Sequence, residues 1–507
     1  MAEYSTLAAV DLGSNSFHCQ VGRVVGEQIY PLDSLREPVR LGAGLGDDKM
    51  LDAASQERSL AALRRFGERL RGLDRRAVRA VGTNALRVAK NAPAFLKLAR
   101  IALGFPIEVI AGREEARLIF IGVQHSLPPS PERRLVIDVG GGSTEFIIGS
   151  GFKPQKLASL FMGCVSFSRQ YFPGGAVTRS AMKEAEVAAR NELQPLIGEF
   201  GRKHWEQAVG SAGTVRALAE IAGGGASAEG PITREGLEKL RVALIKAGSV
   251  ERMEIAGLKA DRVPVIPGGL AILTAVMSEL GIQELTPAAG AMRQGLLYDL
   301  LGRVHHKDMR DATVAQFMQR YHVDAAQARR VGALAESLYT KLAADAKDVD
   351  ENDPTYIGWA AKLHEIGISV AYSGYHKHSA YILENADMPG FSRDEQSQVA
   401  LLVLSHRRSL KKVQARIEGA VDMRAVLALR LAGIFYRGRT DIALPSIQAR
   451  YSGDRFRVNV DRAWLGGNPL TAAALREEIR EWQRIGFELK VPELEAPAAA
   501  ETSVLPV

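Results

Sequence analysis

The chain has 507 residues, of which 46% are hydrophobic and 24% are charged, and its formal net charge is +7. This length is enough for three or four domains, and the composition is that of a globular rather than a disordered protein. The positive charge suits a polyanionic ligand. We expect no nucleic-acid binding, because the sequence has no aromatic-interleaved basic stretch, zinc-finger spacing or helix-turn-helix signature.

The N-terminus leads straight into a strand without a charged-then-apolar leader, and no apolar run reaches the roughly 18 residues of a transmembrane helix. We therefore expect a cytoplasmic protein with no transmembrane segment. The two cysteines, Cys19 and Cys164, stand in largely apolar surroundings and are too few for a disulfide framework. We predict that both are small core residues in a reducing compartment.

One short pattern occurs twice in the first half of the chain. Each copy is an apolar strand, an Asp-apolar-Gly turn rich in serine and a second apolar strand, and the copies begin their turns at Asp11 and Asp138. Glycine lets the turn approach a ligand closely, and successive N–H groups with serine hydroxyls form an anion-binding concavity. The aspartate repels phosphate but can hold Mg²⁺ that bridges to it. The repeat predicts two similar half-domains facing each other across a cleft.

Two other segments, residues 80–87 and 209–216, run from a strand through a glycine turn into a helix. Helix N-termini favour anions through their free N–H groups and the helix dipole. Arg87 would stand on the first turns of its helix, where its guanidinium can chelate a phosphate or face solvent. Either segment can also be a helix start without a ligand.

Residues 107–120 predict a strand, a break and a helix that begins near Glu114 and Glu115. Adjacent helical residues point about 100° apart, so we expect that these two carboxylates do not enter the same cleft together. The pattern alone favours two first-turn carboxylates that stabilise the helix dipole.

Five motifs in chain order resemble those of the exopolyphosphatase/guanosine pentaphosphatase (Ppx/GppA) phosphatase family, which belongs to the sugar-kinase, heat-shock-protein and actin superfamily. They are DLGSNSFH at 11–18, GTNALR at 82–87, GREEARLIF at 112–120, VIDVGGGSTEF at 136–146 and GSAGTVRAL at 210–218. The resemblance covers roughly residues 5–300. It implies an exopolyphosphatase that uses Mg²⁺ to hydrolyse the terminal phosphate of inorganic polyphosphate, processively and as a homodimer.

The resemblance also implies roles for individual residues. It makes Glu115 the catalytic base and Glu145 a second catalytic carboxylate, and it places Asp11 and Asp138 on the metal side. The resemblance and the loops together predict these substrate contacts: Gly13, Ser14, Asn15, Ser16, Thr83, Asn84, Arg87, Gly140, Gly141, Gly142, Ser143, Thr144, Gly210, Ser211, Gly213 and Thr214.

The predicted fold class is α/β. We expect two actin-like, ribonuclease H-like domains at 1–125 and 126–305, an all-α domain at 306–445, and a small C-terminal α/β region at 446–507 with a mobile tail from Pro492. The all-α region has helical periods at 325–341, 356–366, 395–405 and 424–436 and resembles an HD phosphohydrolase domain. It carries Gln327 where that family has a histidine and Glu365 where it has an aspartate, so we predict a non-catalytic domain.

Three alternatives stay open. The main substrate can be guanosine pentaphosphate (pppGpp), converted to ppGpp, because both substrates end in a phosphoanhydride. The protein can be an ATP-dependent sugar or acetate kinase of the same superfamily, or a non-catalytic sensor of polyphosphate or alarmone. The basic run at 406–412, with Arg437 and Arg439, either faces solvent or holds the distal part of a long polymer.

Overall fold

The computed structural model describes residues 4–222, 230–252, 262–305, 308–346, 348–350 and 352–494. The chain divides into two compact units, Met1–Met309 and Arg310–Val507. The four predicted domains stay a prediction. Their boundary at 305/306 borders residues 306–307, and most of the predicted mobile tail is residues 495–507; both stretches lie outside the described residues.

The first sheet of unit 1 has, among the described residues, five strands: β1 Thr6–Leu12, β2 Phe17–Val25, β3 Gln28–Glu37, β4 Val78–Gly82 and β5 Ile107–Val109. Their order is β3-β2-β1-β4-β5, in which β1 to β3 are antiparallel and β4 and β5 run parallel to β1. The helices of this part are α1 Ala53–Leu70, α2 Asn84–Val88, α3 Ala92–Leu103 and α4 Gly112–Ser126.

The second sheet repeats this pairing. Its described strands are β6 Arg134–Val139, β7 Thr144–Ser150, β8 Lys153–Leu160, β9 Gln207–Ser211, β10 Ile232–Thr233 and β11 Glu284–Pro287. Their order is β10-β11-β9-β6-β7-β8, with β6 to β8 antiparallel and β9 parallel to β6. Its helices are α5 Cys164–Tyr171, α6 Arg179–Phe200, α7 Ala212–Ala222, α8 Arg234–Ala247, α9 Ile266–Glu279 and α10 Met292–Val304.

The alternation of side chains along β1 and β6 decides where the two aspartates point. In β1, Ala8 and Val10 pack into the core on α1 and α3, whereas Leu7 and Ala9 pack into a second core with α4 and α10. In β6, Val136 belongs to that same second core. Because successive strand residues face opposite sides, Asp11 and Asp138 lie on the faces turned towards α4 and α10. Two separate sheets thus aim one carboxylate each at the helices between them.

Both cysteines of unit 1, Cys19 and Cys164, are buried and free, as predicted. Cys19 lies in the core on α1, and Cys164 lies in the core of the second sheet.

Unit 2 is mainly helical. Its described elements are α11 Met309–Arg320, α12 Ala325–Leu342, α13 Asp353–Leu363, α14 Tyr375–Asn385, α15 Arg393–Ser405, α16 Gln414–Ile417, α17 Met423–Phe435, β12 Gln448–Ser452, β13 Arg455–Asn459, α18 Arg462–Gly467, α19 Pro469–Gln483 and β14 Glu488–Lys490. Residues of the helices and of the small sheet β12-β13-β14 share one hydrophobic core, in which Leu338 and Trp482 are fully buried.

The four predicted helical periods of unit 2 are all helices, with ends shifted by a few residues. The period predicted to reach residue 366 ends at Leu363, because the His364 ring donates from Nδ1 to the carbonyl of Ala361 at 2.7 Å and closes the last turn. Helices and sheets in the two units confirm the mixed α/β class. The HD-like character of unit 2 stays a prediction. None of the helices among the described residues is long and apolar enough to cross a membrane.

Candidate active site

A cavity opens in unit 1 where β1, β4 and β6 end, and its empty space, counted together with the open solvent at its mouth, is about 830 Å³. It brings together most of the residues that the sequence singles out. The predicted residues that line it are Asp11, Gly13, Ser14, Asn15, Ser16, Thr83, Asn84, Glu115, Asp138, Gly140, Gly141, Gly142, Ser143, Gly213 and Thr214.

The two Gly/Ser loops, residues 13–16 and 140–143, come into contact with each other. A Cβ added to Gly142 would lie 2.7 Å from Oδ1 of Asn84 and 3.2 Å from Oγ of Ser14, and one added to Gly141 would lie 3.1 Å from Cβ of Ser14. Only glycine leaves room for this approach. The two loops therefore lie in contact with each other and line one cavity.

The N-terminus of α7 can supply further N–H groups to the cavity, which Ala212, Gly213 and Thr214 line. The N–H of Cys164, at the start of α5, donates instead to the carbonyl of Gly140 at 2.9 Å and so fastens α5 to the second loop. Ala212 has a φ of +74°, a backbone conformation that costs a non-glycine residue of the order of 1 kcal/mol. Strained backbone that the surrounding structure retains is typical of ligand sites.

Glu115 stands on the first turn of α4, and its side chain is mostly buried at the cavity wall. Nη1 of Arg87 donates to Oε2 of Glu115 at 2.7 Å and to the carbonyl of Ile110 at 3.0 Å. Glu114 points elsewhere and accepts two hydrogen bonds from Arg117, at 2.7 and 2.8 Å. The two adjacent carboxylates thus have separate surroundings, and Glu115 alone of the pair faces the cavity.

Glu145 is fully buried next to the cavity but does not line it. Its Oε1 accepts from Oγ of Ser159 at 2.8 Å, and its Oε2 lies 3.9 Å from a Cβ placed on Gly140. Gly112, which begins α4, packs against Ser159 so closely that a Cβ there would lie 2.7 Å from its side chain. Glu145 is therefore held behind the second loop and close to the start of α4.

The buried carboxylates repel one another. Burial raises the pKa of Asp11 to about 8, with the charge of Glu115 adding to the effect, and burial raises the pKa of Asp138 to about 6. Burial and the charges of Glu115 and Asp138 also raise the pKa of Glu145 well above its ordinary value. Such a group favours protons or a metal cation.

The aspartates fit a magnesium ion that is shared with phosphate. Oδ1 of Asp11 is buried without a hydrogen-bond partner among the described residues. In the described part of the chain, no three His, Cys, Asp or Glu side chains are placed to hold a metal by themselves. Mg²⁺ commonly takes one or two carboxylates and completes its shell with water and substrate phosphates. Asp11 and Asp138 would hold it.

Four of the predicted substrate contacts do not line the cavity: Arg87, Thr144, Gly210 and Ser211. Thr144 donates to the carbonyl of Met162 at 2.6 Å, and Ser211 donates to the carbonyl of Gly290 at 3.0 Å. A Cβ on Gly210 would meet Val215 and Leu285, so this glycine allows the helix to pack on the sheet. Arg87 is occupied by Glu115. These four residues support the residues that line the cavity.

Sequence reasoning did not single out the basic side chains of the cavity. Arg216, Arg262 and Arg293 line it, and so does His18, whose pKa burial and the nearby arginines lower to about 2. For Arg216 and Arg293, however, the sequence contains a pattern that could have predicted their position. Arg216 follows the glycine turn of β9, and Arg293 follows a glycine after β11, in the arrangement that places Arg87 after β4. An arginine within the first five residues of the helix that follows a strand and a glycine is thus common to three elements.

Both units of the chain match models of one protein family. The model described as Ppx/GppA phosphatase family matches residues 20–304, and the model described as Ppx/GppA phosphatase, domain III matches residues 309–479.

Solved structures with a similar fold cover the first part. An exopolyphosphatase-like protein is 23% identical (TM-score 0.55, 60% of this chain and 99% of that one). An exopolyphosphatase from Cytophaga hutchinsonii is 24% identical, with a TM-score of 0.54 over 59% of this chain and 98% of that one. An Aquifex aeolicus member of the Ppx/GppA family is also 24% identical, with a TM-score of 0.51 over 59% of this chain and 99% of that one. At these identities the likeness shows the fold alone.

Proposed function

Since the chain belongs to the Ppx/GppA phosphatase family, we propose that it is an exopolyphosphatase, which hydrolyses the terminal phosphoanhydride bond of inorganic polyphosphate and releases orthophosphate with Mg²⁺. The observation that carries this proposal is the position of Glu115. Its carboxylate stands at the wall of a cavity that is otherwise built from anion-binding loops, helix N-termini and arginines.

The cavity suits the end of a phosphate chain. The N–H groups of the two loops and of α7 can donate to the oxygens of the terminal phosphate. The guanidinium groups of Arg216 and Arg293 line the same cavity and supply charge for the oxygens that follow. Phosphoryl transfer depends mainly on such positioning and charge neutralisation.

Mg²⁺ held by Asp11 and Asp138 would neutralise the phosphate oxygens and orient them. The rest of the reaction depends on the chain itself. Glu115 accepts a proton from a water molecule, and the water oxygen bonds to the terminal phosphorus. The bond from that phosphorus to the bridging oxygen breaks, and the shortened chain leaves as the anion. Arg87 holds the Glu115 carboxylate in place through its bonds to Oε2 and to the Ile110 carbonyl.

Polyphosphate is the proposed substrate because the chain carries a second unit of nearly 200 residues, which the domain III model matches, and because its net charge of +7 suits a long polyanion. The terminal phosphoanhydride of pppGpp would fit the same loops. Assays on both substrates therefore decide between them. The homodimer and the processivity stay predictions.

The test measures phosphate release with Mg²⁺ from long-chain polyphosphate, pppGpp and ATP, using the wild type and Glu115→Gln. We expect the variant to lose about 10²–10⁴-fold in kcat on polyphosphate, because general-base assistance is typically of this size, and to keep its affinity. The matched control is Glu57→Gln, an exposed glutamate of α1 that lies outside the cavity, which should leave kcat unchanged.

Each alternative has its own outcome in this assay. Full activity of Glu115→Gln would show that another group is the base. Release from pppGpp alone would make the protein an alarmone phosphatase with the same site. ATP consumption that needs a sugar or acetate would indicate a kinase, and binding without release from any substrate would indicate a sensor.

A further inference from the structure

Three histidines meet in the interior of unit 2, outside the site described above. His364 follows α13, His376 lies in α14 and His406 follows α15, and all three are buried. The ring of His406 lies 5.1 Å from that of His364 and 6.3 Å from that of His376, between ring centroids. Tyr375 closes the group, with its ring 5.7 Å from that of His406. We call these four residues the histidine cluster.

The backbone decides which nitrogens of the cluster carry protons. Nδ1 of His364 lies 2.7 Å from the carbonyl of Ala361, and Nδ1 of His406 lies 2.5 Å from the carbonyl of Val403. A carbonyl only accepts, so both rings carry their proton on Nδ1 and expose a lone pair at Nε2. Burial lowers the pKa of all three histidines, which keeps the rings neutral near pH 7.

Nε2 of His406 has no hydrogen-bond partner among the described residues, although it is fully buried. Unsatisfied buried acceptors are rare in native structures, and such groups commonly mark the position of a ligand, ion or water. The missing partner must be a donor, because the neutral Nε2 is an acceptor.

The charges around the cluster are mainly positive. The guanidinium of Arg407 lies 4.5 Å from the ring centre of Tyr375, and its charge also acts on all three histidines. Arg408 and Arg430 add positive charge near His376. The nearby carboxylate, Glu365, is already bound by Arg439. Arg407 is partly exposed, so its guanidinium is the member of this group that a ligand from solvent meets first.

We propose that the histidine cluster and Arg407 form a binding site for hydrogenphosphate, separate from the candidate active site of unit 1. This ligand satisfies both requirements of the cluster at once. Its P–O–H group donates to Nε2 of His406, and its charged oxygens accept from the guanidinium of Arg407. Sulfate has the same shape and charge but carries no proton at neutral pH, so it cannot make the first bond. The site therefore distinguishes phosphate from sulfate.

The experiment is side-chain ¹⁵N NMR of the full chain labelled at histidine, titrated at about pH 7.5 with sodium phosphate and, separately, with sodium sulfate at equal ionic strength. His406→Gln assigns the signal. We expect the Nε2 signal of His406 to move with phosphate and to stay in place with sulfate. Arg407→Gln should weaken the phosphate response about tenfold or more, as loss of a charge-assisted bond does.

The matched control is Arg476→Gln, an exposed arginine of the same unit, which should bind phosphate like the wild type. Equal shifts with sulfate, or no shift in a folded Arg476→Gln control, would overturn the proposal. A response to Zn²⁺ without a response to phosphate would also overturn it and would identify a metal site. A third titration, with tripolyphosphate, distinguishes free phosphate from the end of a polyphosphate chain as the ligand of the histidine cluster. If tripolyphosphate binds more tightly than orthophosphate, the ligand is a chain end. The readout is independent of whether unit 1 hydrolyses polyphosphate.

Discussion

Gly142 shows how one residue determines the distance between the two loops of the candidate active site. A Cβ at this position would lie 2.7 Å from Oδ1 of Asn84, which is closer than real Cβ atoms approach other atoms. Asn84 begins α2, directly behind the first loop. The absence of a side chain at Gly142 therefore lets the second loop reach the element that follows β4.

We expect Gly142→Ala to lower kcat on the phosphate substrate by about 10–100-fold, because the added methyl group moves the loops apart and displaces the bound phosphate from Glu115. The fold should be retained. Steady-state kinetics together with thermal unfolding measure both effects.

The control for this substitution is Gly198→Ala. Gly198 is exposed in α6, and nothing lies within 4 Å of a Cβ placed there. Alanine should add up to about 1 kcal/mol of helix stability at this position and leave kcat unchanged. Wild-type activity in Gly142→Ala would mean that the two loops need not touch during the reaction.

At the scale of elements, the pair α4 and α10 connects the two sheets of unit 1. Their backbones nearly touch: a Cβ on Gly122 would lie 2.0 Å from the carbonyl oxygen of Ala291, and one on Gly295 would lie 1.8 Å from that of Leu118. α4 carries Glu115 and α10 carries Arg293. The glycines of this crossing therefore help to bring the proposed base and a cation to the same cavity.

A buried ion network fastens the same two helices to β4. Asp299 of α10 binds Arg79 of β4 at 2.5 Å, and it also binds Arg117 of α4. Arg117 in turn holds Glu114, the neighbour of Glu115. Burial favours the neutral acid, but the guanidinium groups of Arg117 and Arg79 outweigh it and lower the pKa of Asp299. Removing one partner from such a buried network leaves an uncompensated buried charge, which is strongly destabilising.

We expect Asp299→Asn to destabilise unit 1 by about 3–5 kcal/mol at pH 7, because the buried guanidinium groups of Arg79 and Arg117 each lose one of their carboxylate partners. In the wild type the stabilisation by Asp299 is present above its unfolded pKa of about 4 and disappears as the pH falls through the lowered folded value. Denaturant unfolding at pH 7 and at about pH 3 should therefore show a smaller difference between variant and wild type at the lower pH.

Glu206→Gln is the matched control for the network. Its pair with Arg133 has a similar length, 2.5 Å, but both side chains are more than 40% exposed. Its loss should cost little stability, because solvent screens an exposed pair. A similarly small cost for Asp299→Asn would show that the network is not needed for the packing of α4 on α10.

At the scale of the whole molecule, two sets of buried carboxylates give the stability of the protein opposite pH dependences. Asp299 favours the folded state at higher pH. Asp11 and Asp138 do the reverse, because their folded pKa values, about 8 and about 6, lie above the unfolded value. Their contribution is fully present below about pH 4 and is lost as the pH rises through 6 and 8.

Without divalent metal we therefore expect the melting temperature to be highest between about pH 4 and 6 and to fall towards pH 9. Mg²⁺ should raise it, more at pH 9 than at pH 5, because the metal competes with protons for the aspartates. Calorimetry with and without EDTA measures this difference.

Asp11→Asn should remove most of the magnesium effect and make the metal-free protein more stable than the wild type at about pH 9, since one buried charge is gone. The control is Asp47→Asn, because Asp47 is fully exposed; it should behave like the wild type. An equal magnesium effect at both pH values would place the ion away from these aspartates.

The sequence by itself determines the local parts of this protein. The sequence predicts the Asp-apolar-Gly turns and the glycine turns before helices, because backbone preference and side-chain alternation act over a few neighbouring residues. The motifs that contain these turns also predict the family. These patterns place most of the predicted loop residues, including Ser14, Asn84 and Gly142, at one cavity.

Only the tertiary structure decides which partner each charged side chain finds. In the folded chain Arg87 binds Glu115, and Glu145 lies behind the second loop, where it accepts from Ser159. Arg293 lines the cavity although its helix lies far along the chain. It also assembles His364, His376 and His406 from three separate elements of unit 2. Such pairings depend on how distant elements pack, so they cannot be predicted from the local sequence. The energy of a buried charge depends on the groups that the fold places beside it, and these groups come from other parts of the chain.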